Sequence, residues 1–539
     1  MLSGFALLAL LPMASPAQES VFRFGWRQEA STSRSPENMD ACRFDPFGNL
    51  FLAGTVPAAD AQNDILVRKC SPMGELLWEI KFDCGDGKKS DAVMDSVVDA
   101  KGDLYLALNY PQNGYGNVVL AKISGETGKI LFKKIHDSGN ERAMATAMAL
   151  DTNSNSIIIV GGIGKNAREN AFIGKWSDTG TTLWTKTWSS PDKPDRQFRG
   201  VSVHSNGEIT AVGYTTTNAS NQDSLVTRFT ANGTQKWSTS FAGTALGTDK
   251  ASFAVHDSNG DSIVAGDEYV EGSRGYAYIA RLDAGAGKVI WKTHLNDVRN
   301  NDGVPLGLFR VGSQFLLGVQ TYPITANNVD LAVLKYDSSG KQLWKSLVNA
   351  APGFAETGAS FQVDSYGYSY ISGGSTDSAR DMKYFVGCVD PSGSLAWQYR
   401  DTVGNPLSLP AGLAIANDSG HVVLSGNRSR GIDDDVNQLC VYQAPRATND
   451  FYSVFQGESI KRTADSGVRT NDVFHRFCQL ELVEGPKSGT LKLEKDGSFE
   501  YAAAKDFEGS VTFSYRLTRE GLKPSTGTAT ISVAKKPKP

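Results

Sequence analysis

Asp45-Pro46-Phe47-Gly48-Asn49-Leu50-Phe51-Leu52-Ala53-Gly54, followed by Asp64-Ile65-Leu66-Val67-Arg68-Lys69 and Gly74-Glu75-Leu76-Leu77-Trp78, sets out one structural unit of this chain. With the stretch before it, the unit contains four strand-length apolar segments: Met39 to Phe44, Leu50 to Ala53, Ile65 to Cys70 and Leu76 to Phe82. Gly48-Asn49, the stretch from Pro57 to Asn63 and the stretch from Ser71 to Gly74 interrupt them, and such turn chemistry between short alternating runs predicts strands.

The unit recurs. An aromatic residue followed by a polar strand tail appears at Trp26, Trp78, Phe132, Trp184, Trp237, Trp291, Trp344 and Trp397, at intervals of 52 to 54 residues. A second series, Lys69, Lys122, Lys175, Arg228, Arg281, Lys335, Cys388 and Val441, keeps the same period. A glycine closes the second segment at Gly54, Gly161, Gly213, Gly266, Gly318, Gly373 and Gly426, with Leu108 the exception; the missing side chain implies a close approach near a narrow central channel. Gly48-Asn49, Gly102-Asp103, Asn206-Gly207, Asn259-Gly260 and Ser419-Gly420 suit the positive φ of two-residue hairpins.

Four strands in about 50 residues is the size of a propeller blade. The eighth unit supplies only three segments, around Gly412 to Ile415, His421 to Leu424 and Gln438 to Tyr442, and the missing fourth lies at the other end of the chain, in Val21 to Gln28 with Trp26. The reading is therefore an all-β chain: an eight-bladed β-propeller over 18–445, closed by its N-terminal strand, then an Ig-like β-sandwich over 446–534. Residues 1–17 read as a signal peptide and 535–539 as a disordered tail. The aromatic series is expected to anchor neighbouring blades. The cationic series is expected to pair with Asp45, Asp99, Asp151, Asp257 and Asp364, since a buried lysine stem normally ends on a carboxylate.

The pattern Asp-x-x-Gly-Asn, apolar strand, Ala-Gly, Asp-Ile-Leu-Val-x-Lys and Gly-x-Leu-Leu-Trp resembles the bacterial exported β-propeller repeat family over roughly Val21 to Gln443, although eight units depart from that family's usual seven. Gly287-Lys288-Val289-Ile290-Trp291 is more distantly similar to the docking turns of quinoprotein propellers, but the adjacent cysteine pair of those enzymes does not occur. In the C-terminal segment, Gly457-Glu458, Asn471-Asp472, Gly489-Thr490-Leu491, Asp496-Gly497-Ser498-Phe499-Glu500-Tyr501 and Phe513-Ser514-Tyr515 resemble bacterial cadherin-like and Ig-like repeats of surface proteins. In that family an acidic cluster after Asn-Asp binds calcium. Here Val473-Phe474-His475-Arg476 stands in its place and lacks the oxygen ligands.

Composition agrees with export and with a β-rich chain. The 539 residues hold 55 glycines, about a tenth against an average of roughly 7%. The apolar run Met1 to Pro12 and the small residues Ser15-Pro16-Ala17 mark a signal peptide without a basic n-region, and the run is too short for a membrane span. A formal net charge of −4 excludes a nucleic-acid stripe. Cys42, Cys70, Cys84, Cys388, Cys440 and Cys478 leave disulfides and buried free thiols both open.

Catalytic motifs are missing: no phosphate loop, no zinc helix, no nucleophile elbow, and six scattered histidines. No catalytic residue and no cofactor is expected. Asp433, Asp434 and Asp435 form the one acidic run able to hold a cation such as calcium; a solvated loop is the plainer reading. Asp257 to Asp261 begins like a calcium loop but occupies the ordinary repeat turn. The loops Asn109 to Gly116 and Tyr214 to Asp223 are candidate specificity elements. The leading function is a non-catalytic secreted or cell-surface interaction protein, a monomer whose partner is an extracellular protein or glycan. The alternatives are an extracellular polysaccharide hydrolase or lyase using carboxylates at the propeller mouth, and a periplasmic assembly scaffold.

Overall fold

The computed structural model describes residues 22–29, 38–58, 62–85, 90–112, 115–136, 138–139, 141–165, 168–188, 195–218, 221–243, 247–269, 275–295, 302–322, 329–349, 355–376, 382–401, 409–427 and 436–536. Every regular element of these is a strand. The second to seventh repeats each form a four-stranded antiparallel sheet in sequence order, for example Lys250–His256, Ser262–Glu268, Tyr276–Leu282 and Val289–His294. The remaining strands of the repeat region form one eight-stranded sheet. It joins the first repeat to the last, and in it Phe22–Glu29 lies beside Val436–Gln443. That is the closure expected from the split repeat.

The strand leading each repeat is innermost. Each packs against the next around the ring, and Leu409–Ala416 returns to Asn38–Phe44. Antiparallel pairing of this strand with the second is interrupted at the same place in every repeat: between Asn38 and Ala41, Val93 and Asp95, Ala145 and Ala147, Phe198 and Gly200, Ala251 and Phe253, Pro305 and Gly307, Gly358 and Ser360, and Pro410 and Gly412. These bulges explain the recurring glycine. A Cβ on Gly161, Gly213, Gly266 or Gly373 would lie 1.8, 1.8, 1.9 or 2.1 Å from the carbonyl oxygen of Met144, Gln197, Lys250 or Thr357, the backbone just ahead of the bulge. The close approach is thus between the two inner strands of one blade, where the bulge bends the chain.

Two expectations need correction. The turns after the innermost strands are longer than two-residue hairpins: Gly48 N–H donates to Asp45 O at 3.0 Å, and Asp45 N–H donates across to Asn49 O at 2.8 Å. The glycine's positive φ, 83° at Gly48, closes a four-residue turn that the Asp45 carboxylate stabilises by accepting from Phe47 N–H and Asn49 N–H. The two supposed specificity loops are mostly strand. Leu104–Gln112 pairs with Tyr115–Ile123 out to Gln112 and Tyr115, and Ile209–Asn218 pairs with Asn221–Phe229 out to Asn218 and Asn221. Their polar composition hid strands that stay paired through the described residues of both hairpins.

Residues from Val441 on, with Asn417–Gly420, belong to a second compact unit. Its core contains Val468, Phe499, Tyr501, Phe513, Tyr515, Leu517, Ala529 and Ile531. One sheet runs Asp450–Phe455, Ser525–Ala534, Gly509–Thr518, Gln479–Glu484, the first pair parallel; the other runs Ser459–Arg462, Phe499–Ala502, Thr490–Leu493. The hairpin expected at Asp496-Gly497 is present, with Leu493 opposite Phe499. The last strand ends at Ala534 and Lys536 pairs with Glu458; residues 537–539 lie outside the described residues.

Candidate functional site

Members of both periodic series bridge the seams between repeats. The indole N–H of Trp78, Trp184, Trp237 and Trp291 donates to Gly125 O, Ala231 O, Ala284 O and Ser338 O of the following repeat, at 3.3, 3.3, 3.1 and 3.1 Å. A glycine of that same turn lies against the ring: a Cβ on Gly128, Gly233, Gly287, Gly340 or Gly393 would come within 3.0, 2.7, 2.3, 2.7 or 2.7 Å of Trp78, Trp184, Trp237, Trp291 or Trp344. Phe132 meets Gly180 in the same way, and Trp397 stands against Tyr370 at 6.2 Å. Trp26 lies on the strand Phe22–Glu29.

The cations converge on the same carbonyls. Lys69 Nζ donates to Gly125 O at 2.7 Å, Lys175 Nζ to Ala231 O at 3.4 Å and Arg281 Nη1 to Ser338 O at 3.0 Å. Lys335 Nζ reaches Pro391 O at 3.1 Å. The charges of Lys69, Lys122, Lys175 and Arg281 are met within their own repeats by Asp45 at 2.8 Å, Asp99 at 3.3 Å, Asp151 at 2.8 Å, and Asp257 with Asp261 both at 2.8 Å. In the fourth repeat His204 occupies the aspartate position, and Arg228 pairs instead with Glu208 at 2.9 Å. In the seventh, Cys388 replaces the cation, and Asp364 accepts from Tyr370 Oη at 2.9 Å. The stretch Asp257 to Asp261 is therefore a turn clamped by Arg281.

Ionisable groups not absorbed by the seams gather at the opposite strand ends of the third to fifth repeats. Glu169 receives Gln197 Nε2 at 3.1 Å, and its own N–H donates to Asp195 at 3.1 Å; burial raises its pKa against the opposing charge of Arg142. Asp267 sits across from Lys250 in the fifth repeat, and burial raises its pKa although Lys250 and Arg199 oppose. Lys250 is shifted down by burial and by Arg199. Asp249 is wholly buried and takes N–H bonds from Gly243 and Tyr269 at 2.5 and 2.6 Å; burial still raises it. Glu268 is held low despite burial by His294 and Lys292, the latter at 2.7 Å.

This rim can present cations from Arg142 and Arg199 beside carboxyls that stay protonated to higher pH than usual. The sequence reading named none of these residues. One signal was available: an acidic residue recurs at the start of the innermost strand, just ahead of it at Asp91, Asp195 and Asp249 and within it at Glu356, and the first three accept N–H groups from Cys84, Glu169 and Gly243. Its spacing follows the repeat, but only four of the eight repeats supply these acids and the acid type changes.

Asp433, Asp434 and Asp435 lie outside the described residues. Among the described residues no group of three or more His, Cys, Asp or Glu side chains converges as metal ligands. All six cysteines are buried and none is in a disulfide. No helix among the described residues is long and apolar enough to cross a membrane.

The second unit holds a carboxyl pair of its own. The Tyr515 hydroxyl faces four oxygens: Thr448 O at 3.0 Å, Asp450 Oδ2 at 3.1 Å, Val468 O at 2.9 Å and Asp472 Oδ1 at 2.9 Å. A phenol has one proton to give, so a second proton on one of these carboxyls relieves the crowding. Burial, with each aspartate beside the other, pushes Asp450 up to about 7, and burial pushes Asp472 up to about 6.

Comparison with known proteins fits this architecture. Residues 442–533 match the family model described as "Bacterial Ig domain", and residues 63–304 match that described as "Outer membrane protein assembly factor BamB". The chain is thus a β-propeller followed by an Ig-like domain. No curated protein matches it. Among solved structures it is similar to the β-propeller domain of the Trilobed protease from Pyrococcus furiosus, at 10% identity over 71% of this chain and 98% of that one, with a TM-score of 0.41. It is also similar to a protein of unknown function from Dyadobacter fermentans, at 10% identity over 80% and 100% with a TM-score of 0.38. Drosophila Plexin A in complex with Semaphorin 1b gives 9% identity over 79% and 88%, with a TM-score of 0.37.

Proposed function

We propose that this chain is an exported bacterial interaction protein without catalytic activity, in which an eight-bladed propeller is the binding platform and the Ig-like domain a spacer or adhesive module. One observation carries the reading: the aromatic and cationic series are engaged in the seams, while the ionisable groups left over, from Arg142 to His294, collect on one rim. Such a rim suits an extracellular glycan or protein with polar and charged groups. The bacterial Ig match supports an extracellular or periplasmic setting.

Two other readings each have one observation behind them. Glu169 and Asp267, carboxyls raised by burial on different repeats, favour a polysaccharide-acting enzyme, since a general acid needs a raised pKa. The match to an outer membrane assembly factor favours a periplasmic scaffold. A screen of the purified chain on an array of cell-surface and matrix glycans and proteins, with and without calcium, separates them. Binding without product release supports the platform. Product release that Glu169→Gln abolishes establishes the enzyme, and retention in the periplasm with envelope proteins as the only partners establishes the scaffold.

A further inference from the structure

The seam after the third repeat lacks the threonine that closes the two seams following it; the second repeat likewise carries a lysine, Lys134, at that position. Thr182–Trp188 is the outermost strand of the third repeat, and alternation puts Trp184, Lys186 and Trp188 on one side of it. Two residues beyond the anchor, the fourth and fifth repeats carry threonines that close the seam: Thr239 Oγ1 donates to Gly287 O at 2.8 Å, and Thr293 Oγ1 to Gly340 O at 3.2 Å. The third repeat has Lys186 at this position, which has no hydroxyl to close onto the turn at Gly233. A groove of about 470 Å³ opens there, lined by Lys186, Thr187, Trp188, Phe229, Thr234 and Gln235. The volume falls within the range of roughly 300–1,000 Å³ typical of small-ligand sites.

The lining has a definite chemistry. Trp188 meets Phe229 edge to face at 5.9 Å and is only partly buried, so the Phe229 contact holds the indole and leaves part of it accessible. Thr187, Thr234 and Gln235 are exposed, as is Lys186, for which no ion pair is found among the described residues. No carboxylate lines the groove. An aromatic surface for the C–H face of a pyranose, hydroxyl and amide groups for its hydroxyls, and one uncompensated cation for a carboxylate fit an acidic sugar.

We propose that this groove is a subsite for an anionic saccharide of the uronic-acid type. The proposal rests on the platform reading and names a ligand class for it. The test titrates the full chain with a galacturonic acid trimer and with a neutral galactose trimer, following tryptophan fluorescence and heat. The expected result is binding of the uronate trimer in preference to the neutral one. Lys186→Gln should weaken the uronate about tenfold, as the loss of one charge-assisted hydrogen bond does, and leave the thermal midpoint unchanged. Trp188→Phe, which keeps an aromatic against Phe229, should weaken both sugars. Unchanged affinity in both variants overturns the groove while leaving the platform standing. Preference for the neutral trimer, or displacement of the uronate by an acidic peptide at equal concentration, overturns the saccharide class. Failure of the chain to bind either trimer overturns the proposal; failure on the whole glycan and protein array overturns the platform reading as well.

Discussion

The propeller seams and the Ig-like domain both bury aspartates, with opposite results. Burial alone would raise Asp151, yet bonds from Lys175 and Ser154 hold its carboxyl below the usual range. Asp450 and Asp472 share the Tyr515 hydroxyl, with the Thr448 N–H also on Asp472, and both are raised by burial, Asp472 against the opposing charge of Arg469. The difference teaches that burial pushes a carboxyl up and that direct hydrogen bonds from a cation and a hydroxyl, as at Asp151, outweigh it.

The largest effect should come from leaving a seam charge alone. Asp151→Ala strands Lys175 in a nearly dry site, and a loss of about 3–5 kcal/mol is expected. A double replacement with Lys175→Met should recover much of it, which chemical denaturation followed by tryptophan fluorescence will measure. That signal is specific: all nine tryptophans precede residue 398, so it reports the repeats and not the Ig-like domain.

Next in size is Gly287→Ala. Its φ is 70° and the added Cβ would meet Trp237 at 2.3 Å, so about 1–3 kcal/mol should be lost through strain and overpacking. The same substitution at Gly312, also at positive φ but with nothing within 4 Å of the added Cβ, should cost less, isolating the docking contribution.

The pH dependence sharpens the comparison directly. Asp151 is depressed in the folded state, so its contribution is present above the unfolded carboxylate pKa near 3.9 and disappears as pH falls through the folded value. Asp450 and Asp472 are raised, so their contribution is present below about 3.9 and is lost as pH rises to about 6 and 7. Between pH 4 and 8 the Ig-like domain should lose stability while the seam holds its own. Asp450→Asn, which imitates the protonated carboxyl, should flatten that slope and gain about 1 kcal/mol at pH 8. Calorimetry or limited proteolysis resolves it, and an unchanged slope would show that Asp450 ionises freely. The smallest effect belongs to Lys186→Gln, whose stability should stay within about 0.5 kcal/mol of the parent chain, as for an exposed side chain free of structural bonds.

Much of this was legible because repetition multiplies weak signals. One Gly-x-Leu-Leu-Trp says little, but Trp78, Trp184, Trp237 and Trp291 at a common spacing give both the blade period and the residues that bridge blades. The recurring aspartates gave the partners of Lys69, Lys122, Lys175 and Arg281. The rim was barely legible. Glu169, Asp195, Arg199, Lys250 and Asp267 come from different strands and repeats, and the recurring acid at the start of the innermost strand marks Asp195 alone among them. The opening at Lys186 was not legible; it stands out only when Thr239 and Thr293 are seen closing the two seams that follow it.

The sequence by itself determined the period, the closure of the repeat region by Phe22–Glu29 beside Val436–Gln443, and the Ig-like character of the C-terminal domain, because alternation, turn glycines and anchor spacing act locally and repeat. Only the tertiary structure decided where the glycines are needed, which carbonyl each indole and ammonium share, that none of the six cysteines is in a disulfide, and which aspartates rise or fall in pKa. Those outcomes depend on distances across strands and between repeats, and a carboxyl's proton affinity follows from what folding places beside it.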